Sequence, residues 1–183
     1  MSNKLKVYGL MRSGFEKLQE ERAERDKQSI GTLRGGSIVA LTKDGKWIGD
    51  PRTALIRYIG LQGKTSYDQS LLFQAGLANE DMIHEYFDAA NVEYKCEEEI
   101  PVTVTTPKGR KITGRPDCII YKDGIPQVLL EYKGIFGGSS ALKNHHAGKR
   151  AFKDVNVLQC AFYAKFHKLD GLLIYTNRSH QSM

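Results

Sequence analysis

From Gln127 to Phe136 the chain reads Gln-Val-Leu-Leu-Glu-Tyr-Lys-Gly-Ile-Phe, an apolar strand that nevertheless carries Glu131 and Lys133. Residues two apart on a strand share a face, so this carboxylate and ammonium point the same way. The preceding strand-like segment, Pro-Asp-Cys-Ile-Ile-Tyr, carries Asp117 in equally apolar company. Charges inside such a sheet cost several kcal/mol each unless they are paired or bound to a metal. Two readings stay open: a structural ion pair on a solvated sheet face, or a site that uses the charges. Convergence of the carboxylates depends on the turn between the strands. A two-residue hairpin with Asp123-Gly124 at its tip sets Asp117 opposite Leu130 and sends Glu131 to the other face. The carboxylates meet only if the loop is one residue longer or a bulge intervenes, and one of these is predicted.

The surrounding elements follow from period and punctuation. Gly14–Gln28 reads as an exposed helix with Glu–Lys/Arg pairs, ended by Gly31. Two short strands flank Asp44-Gly45, and a helix opens at Pro51 and stops at Gly60. A longer helix is predicted over Ser70–Ala90, with Leu72, Phe73, Leu77, Ile83, Phe87 and Ala90 as its core stripe. The period then becomes strand-like. Strands are predicted over Val92–Thr106, Ile112–Tyr121 and Gln127–Phe136, a loop over Gly137–Lys149, a helix over Phe152–His167 stopped near Gly171, and a final buried strand, Gly171–Asn177. The order is helix, three antiparallel strands, helix, strand: an α/β (α+β) core behind an N-terminal cap. The division expected is residues 1–69 as cap and 70–183 as core.

Composition narrows the function classes. At 183 residues with 40% hydrophobic and 26% charged residues, the chain suits an ordered domain. No apolar run approaches the roughly 18 residues that span a bilayer, and the first residues lack an apolar signal-peptide core. Cys96, Cys118 and Cys160 are far apart and form no CxxC, which disfavours a disulfide scaffold or clustered zinc site and fits a reducing, cytoplasmic setting. The net charge of +6 favours polyanionic partners. The basic residues concentrate in Lys108–Arg115 and Lys143–Lys153, making Lys108, Arg110, Lys111, Arg115, Lys149, Arg150 and Lys153 candidate phosphate contacts.

Two helical pairs complete the candidate set. Glu80 and His84 lie one turn apart on the face that carries Ile83 and Phe87, where a carboxylate is unexpected, and Gly76 one turn earlier allows close approach to the sheet. His84 reads equally well as a packed core histidine. Gln159 and Tyr163 likewise place an amide beside a phenol.

Gly114-Arg115-Pro116-Asp117, Glu131-Tyr132-Lys133 and Gln159-Cys160-Ala161-Phe162-Tyr163 together resemble the GxxD…(D/E)xK…QxxxY pattern of the PD-(D/E)XK nuclease superfamily, in its RecB-like branch of phage and CRISPR-associated exonucleases. The resemblance covers residues 70–177 and extends more loosely to Asp44–Gly60. It implies a restriction-endonuclease-like core and a Mg²⁺- or Mn²⁺-dependent deoxyribonuclease, more an exonuclease than an endonuclease, of the kind used in phage or mobile-element DNA processing. Asp117 and Glu131 would bind the metal with Glu80 and the Tyr132 carbonyl, and His84 as a weaker ligand. Lys133 would orient the attacking water, while Gln159 and Tyr163 would position the phosphate backbone or brace the lysine. The cysteines of iron–sulfur members are missing: Asp50 precedes Pro51-Arg52, and no cysteine follows Cys160. An iron–sulfur cluster is therefore not expected. A nicking or structure-specific endonuclease and a non-cleaving DNA-binding accessory protein are the alternatives. DNA strandedness and homo-oligomerisation stay open, and nothing in the sequence speaks for an RNA or membrane partner.

Overall fold

A computed structural model describes residues 13–15, 17, 20, 32–34, 39–61, 66–135 and 153–177, which form a mixed α+β fold. The elements are β1 (Thr32–Arg34), β2 (Ala40–Leu41), β3 (Trp47–Ile48), α1 (Pro51–Tyr58), α2 (Tyr67–Ala89), β4 (Glu93–Cys96), β5 (Val102–Thr105), β6 (Lys111–Gly114), β7 (Cys118–Lys122), β8 (Ile125–Ile135), α3 (Asp154–His167) and β9 (Asp170–Asn177). Residues 13–15, 17 and 20 are helical, the first of them just ahead of the first predicted helix and the others inside it. The rest of that helix, its stop at Gly31 and the predicted loop Gly137–Lys149 lie outside the described residues.

Local chemistry accounts for the helix starts. Asp50 caps α1 by accepting from the Arg52 N–H at 2.9 Å and the Thr53 hydroxyl at 2.5 Å, with Pro51 in the first turn. Ser66 and Gln69 form a capping box that opens α2 ahead of the predicted Ser70. Helix α3 ends at Lys168, whose φ of 57° breaks the helix before Gly171 is reached. Gly171 serves packing instead: a Cβ there would stand 2.8 Å from Cys160 Sγ and 3.0 Å from Ala164 Cβ, so its absence lets α3 approach β9.

The main sheet has the order β4-β7-β8-β9, antiparallel from β4 to β8, with β9 parallel to β8 after the crossover that contains α3. Alternation sorts its side chains onto two faces. Ile119 and Leu129 pack with Cys160 and Tyr163 of α3, while Cys118, Leu130 and Tyr132 pack with Ile83 and Phe87 of α2. The sheet is thus covered by one helix on each face.

Three sequence expectations need correction. The predicted strands Val92–Thr106 and Ile112–Tyr121 are each broken in two. A 3₁₀ turn, Glu97–Glu99, with Glu97 at φ 30°, separates β4 from β5. Pro116, which has no N–H to give to a ladder, separates β6 from β7. Strands β5 and β6 join a second sheet of order β1-β6-β5, in which β1 runs parallel to β6. On α2, Leu72, Phe73, Leu77 and Ala90 are exposed, whereas Ser70, Gly76 and Asn79 are buried. A helix contacts a flat sheet along a narrow line, and here small and amide side chains occupy it. Finally, β9 is an edge strand among the described elements, with Tyr175 buried and Leu172 exposed, rather than a buried strand.

Candidate active site

The turn joining β7 and β8 decides the site. Asp123 and Gly124 take φ values of 53° and 74°, a two-residue connection that pairs Lys122 with Ile125 and Tyr121 with Pro126. The next pair is Ile120 with Val128, so Gln127 is an extra, bulged residue. The shift carries through to Cys118 opposite Leu130. Continued by one residue, this register brings Asp117 opposite Glu131, onto the face that Lys133 shares. The predicted bulge is present, and the tight turn is retained as well.

The three charges meet. Lys133 Nζ lies 2.5 Å from Glu131 Oε1 and 4.0 Å from Asp117 Oδ2. Asp117 Oδ2 also accepts the Tyr132 backbone N–H at 2.6 Å, which ties the loop before β7 to β8. Glu131 is fully buried, and its Oε2 has no hydrogen-bond partner among the described atoms. The Lys133 and Asp117 side chains retain 23% and 14% exposure, so the cluster reaches solvent from their side. Burial, reinforced by the charge of Asp117, pushes the Glu131 carboxyl up to about 8 despite Lys133. Burial likewise raises Asp117, against the pull of Lys133 and the Tyr132 N–H. Burial opposes the charge on Lys133, but Glu131 and Asp117 outweigh it and hold the ammonium above its ordinary value. Near neutral pH the chain therefore holds a lysine cation between two carboxylates that resist ionisation together.

Helix α2 brings Glu80 to the edge of this group. It is half-buried, and its charge is felt by both Glu131 and Lys133. His84, also on α2, is half-buried against the sheet face that this helix covers, stacked on Tyr94 at 5.1 Å between ring centroids and edge-on to Tyr132 at 6.0 Å, with Nε2 buried and unpartnered. Its ring contacts are aromatic, and its charge is felt by Asp117. The Tyr132 side chain points to the same face, away from the carboxylates, while its backbone borders them.

Helix α3 supplies Gln159 and Tyr163 from the opposite face. Tyr163 is 2% exposed, and its hydroxyl hydrogen-bonds with the Gln159 side chain and the Arg115 backbone N–H. Burial, with Glu131 next in weight, pushes this phenol up to about 12. Gly114 makes the arrangement possible: a Cβ there would lie 2.5 Å from both Tyr163 Cε1 and Oη. The GxxD and QxxxY segments are therefore one packed unit, since the glycine accommodates the tyrosine and the next peptide binds its hydroxyl. Sequence reasoning missed this link, and also Asn79, whose buried amide donates to Thr176 Oγ1 at 2.7 Å. The signal for Asn79 was available, as it is a polar side chain one residue from Glu80 on an inward-facing turn.

The basic candidates divide. Arg115 lies two residues before Asp117 and is exposed. Lys153 is exposed at the start of α3, and its N–H donates at 3.4 Å to the Tyr175 hydroxyl; Tyr175 is the β9 partner of Lys133. Lys108, Arg110 and Lys111 are exposed at the far end of the β5–β6 hairpin. Lys111 is three residues from Gly114, about 10 Å along the strand. The Arg110 guanidinium lies over the Tyr58 ring at 5.9 Å from its centroid. Lys149 and Arg150 lie outside the described residues.

Among the described residues no three His, Cys, Asp or Glu side chains close into a ready metal cage, and no helix is long and apolar enough to cross a membrane. The donor set nevertheless suits a hard divalent cation, because Asp117 and Glu131 offer carboxylate oxygens, one of them buried and unpartnered. Comparison with protein-family models, with curated proteins and with solved structures finds no match to this chain.

Proposed function

We propose that this chain is a divalent-metal-dependent DNA nuclease of the PD-(D/E)XK type, RecB-like in its motif order, on a restriction-endonuclease-like core. The observation that carries the reading is the Gln127 bulge, which turns Glu131 and Lys133 onto the face of Asp117. A purely structural sheet would gain nothing from burying two carboxylates around one ammonium, since an apolar trio of similar volume is commonly as stable or more so.

Asp117 and Glu131 would hold Mg²⁺ or Mn²⁺, with Glu80 and the Tyr132 carbonyl completing the set and His84 as a weaker ligand. The cation would supply Lewis-acid stabilisation of the negative charge that grows on the phosphate. Lys133 holds its ammonium at the carboxylates, where it orients the attacking water and offsets charge. Tyr163, fixed by Gln159 and the Arg115 peptide, braces the loop that carries Asp117. Arg115, two residues before Asp117, and Lys153, whose N–H bonds to the β9 partner of Lys133, would grip the DNA backbone; Lys108, Arg110 and Lys111 would contact it farther out, and Lys149 and Arg150 are further candidate contacts. An exonuclease in phage or mobile-element DNA processing, acting inside the cell, is the favoured form.

End-labelled linear duplex, closed circular and single-stranded DNA, each with Mg²⁺ or Mn²⁺, test the reading. An exonuclease degrades the linear forms and spares the circle; nicking of the circle assigns an endonuclease. Retention of DNA without cleavage in either metal assigns a binding protein and overturns the proposal. Unimpaired cleavage by the Lys133→Ala protein overturns the role given to Lys133.

A further inference from the structure

Cys96 on β4 and Cys118 on β7 are direct partners across the antiparallel ladder. Directly opposed residues project to the same face, with Cα atoms about 4.5 or 5.5 Å apart depending on the kind of pair. Both spacings fall inside the roughly 4.4–6.8 Å that a disulfide spans. The Cys96 N–H donates to Glu99 Oε2 at 3.3 Å, as expected of the non-hydrogen-bonded kind, where the strands come closest. Both residues are free thiols; Cys118 is fully buried, whereas Cys96 is half-buried at the sheet edge. Cys160 belongs to the opposite face, with its Sγ against Gly171.

We propose that Cys96 and Cys118 form an oxidant-sensitive cross-strand pair, closed by hydrogen peroxide into a disulfide that ties edge strand β4 to the strand that begins just after Asp117. Cys96 is the accessible member and reacts first. Its sulfur attacks a peroxide oxygen, the O–O bond breaks, and the thiol proton leaves with the other oxygen as water, giving a sulfenic acid. The Cys118 sulfur then attacks the Cys96 sulfur, the S–O bond breaks, and the departing hydroxide takes the Cys118 proton as a second water. Two thiols are oxidised and one peroxide is reduced to two waters. The closed ring, Cys96 to Cys118, holds the whole β5–β6 hairpin, so closure stabilises by restricting the unfolded chain. This inference rests on strand register alone and stands whether or not the chain cuts DNA.

The test is mass spectrometry on the full chain after equimolar peroxide and alkylation. The expected product has lost two hydrogens, retains one alkylatable thiol at Cys160 and yields a Cys96–Cys118-linked peptide. Its melting temperature rises by roughly 6–12 °C and returns with dithiothreitol. Cys96→Ser and Cys118→Ser each abolish both changes, and Cys160→Ser keeps them. Three alkylated thiols, a link to Cys160, a chain-to-chain dimer, or sulfinic acid at Cys96 without a cross-link would each overturn the proposal.

Discussion

Replacing Gly114 by alanine should destabilise the fold and loosen the charged cluster through Tyr163. The new Cβ would stand 2.5 Å from Tyr163 Cε1, 2.5 Å from its hydroxyl oxygen and 2.9 Å from Cζ. Carbon atoms in unstrained contact sit about 3.5–4.0 Å apart, so the ring must retreat by about 1 Å. It has little room, being 2% exposed with Phe162 alongside at 5.5 Å between centroids. Overpacking of this kind costs about 1–3 kcal/mol. Loss of the hydrogen bonds to Gln159 and the Arg115 N–H adds about 1 kcal/mol each. The sum, about 3–5 kcal/mol, lowers the melting temperature by roughly 6–20 °C in a chain of this size. Thermal and urea melts measure it. Tyr163→Ala removes the obstacle, so in that background Gly114→Ala should cost less than about 0.5 kcal/mol. A Gly114→Ala protein that melts within about 1 °C of wild type refutes the packing on which this reasoning stands.

Other expectations follow from the buried charges. The Glu131 carboxyl rises from 4.5 to about 8 on folding and Asp117 rises too, so the folded chain binds more protons than the unfolded one across that window. Stability should therefore fall as pH rises through it, by at most about 1.4 kcal/mol per pH unit for each carboxylate. Urea midpoints across the window check the sign, and added Mn²⁺ should stabilise more at its upper end. Lys133→Ala leaves a fully buried Glu131 without its cation, which costs about 3–5 kcal/mol where the carboxyl is ionised, above about pH 8, and less at neutral and acid pH, where it holds a proton. Addition of Glu131→Gln should recover most of that loss in melts; no recovery would mean that the pair does not carry the cost. Asp117→Asn keeps an acceptor for the Tyr132 N–H, whereas Asp117→Ala does not. Both should abolish cleavage, but hydrogen exchange at the Tyr132 amide should accelerate markedly only in the alanine variant.

Much of the helix and strand content was legible because the signals are local. Pro51 and Gly60 bracket α1, and the inward pairs Glu80/His84 and Gln159/Tyr163 follow from helical period. Less legible were interruptions that depend on which sheet a strand joins. Val92–Thr106 and Ile112–Tyr121 each look continuous, yet the Glu97–Glu99 turn and Pro116 split both segments between two sheets. The core stripe of α2 was misjudged because apolar spacing marks a face but not the line that touches the sheet, which Gly76 and Asn79 occupy.

By itself the sequence determined that Glu131 and Lys133 share a face, since strand period is a property of the backbone. It also determined that Asp117 could join them only through a one-residue irregularity. Which residue would bulge, and that Tyr163 would settle on Gly114 and bind the Arg115 peptide, was decided only by the tertiary structure. Those choices are made between segments distant in the chain, where packing volume and hydrogen bonding, not local propensity, select one register.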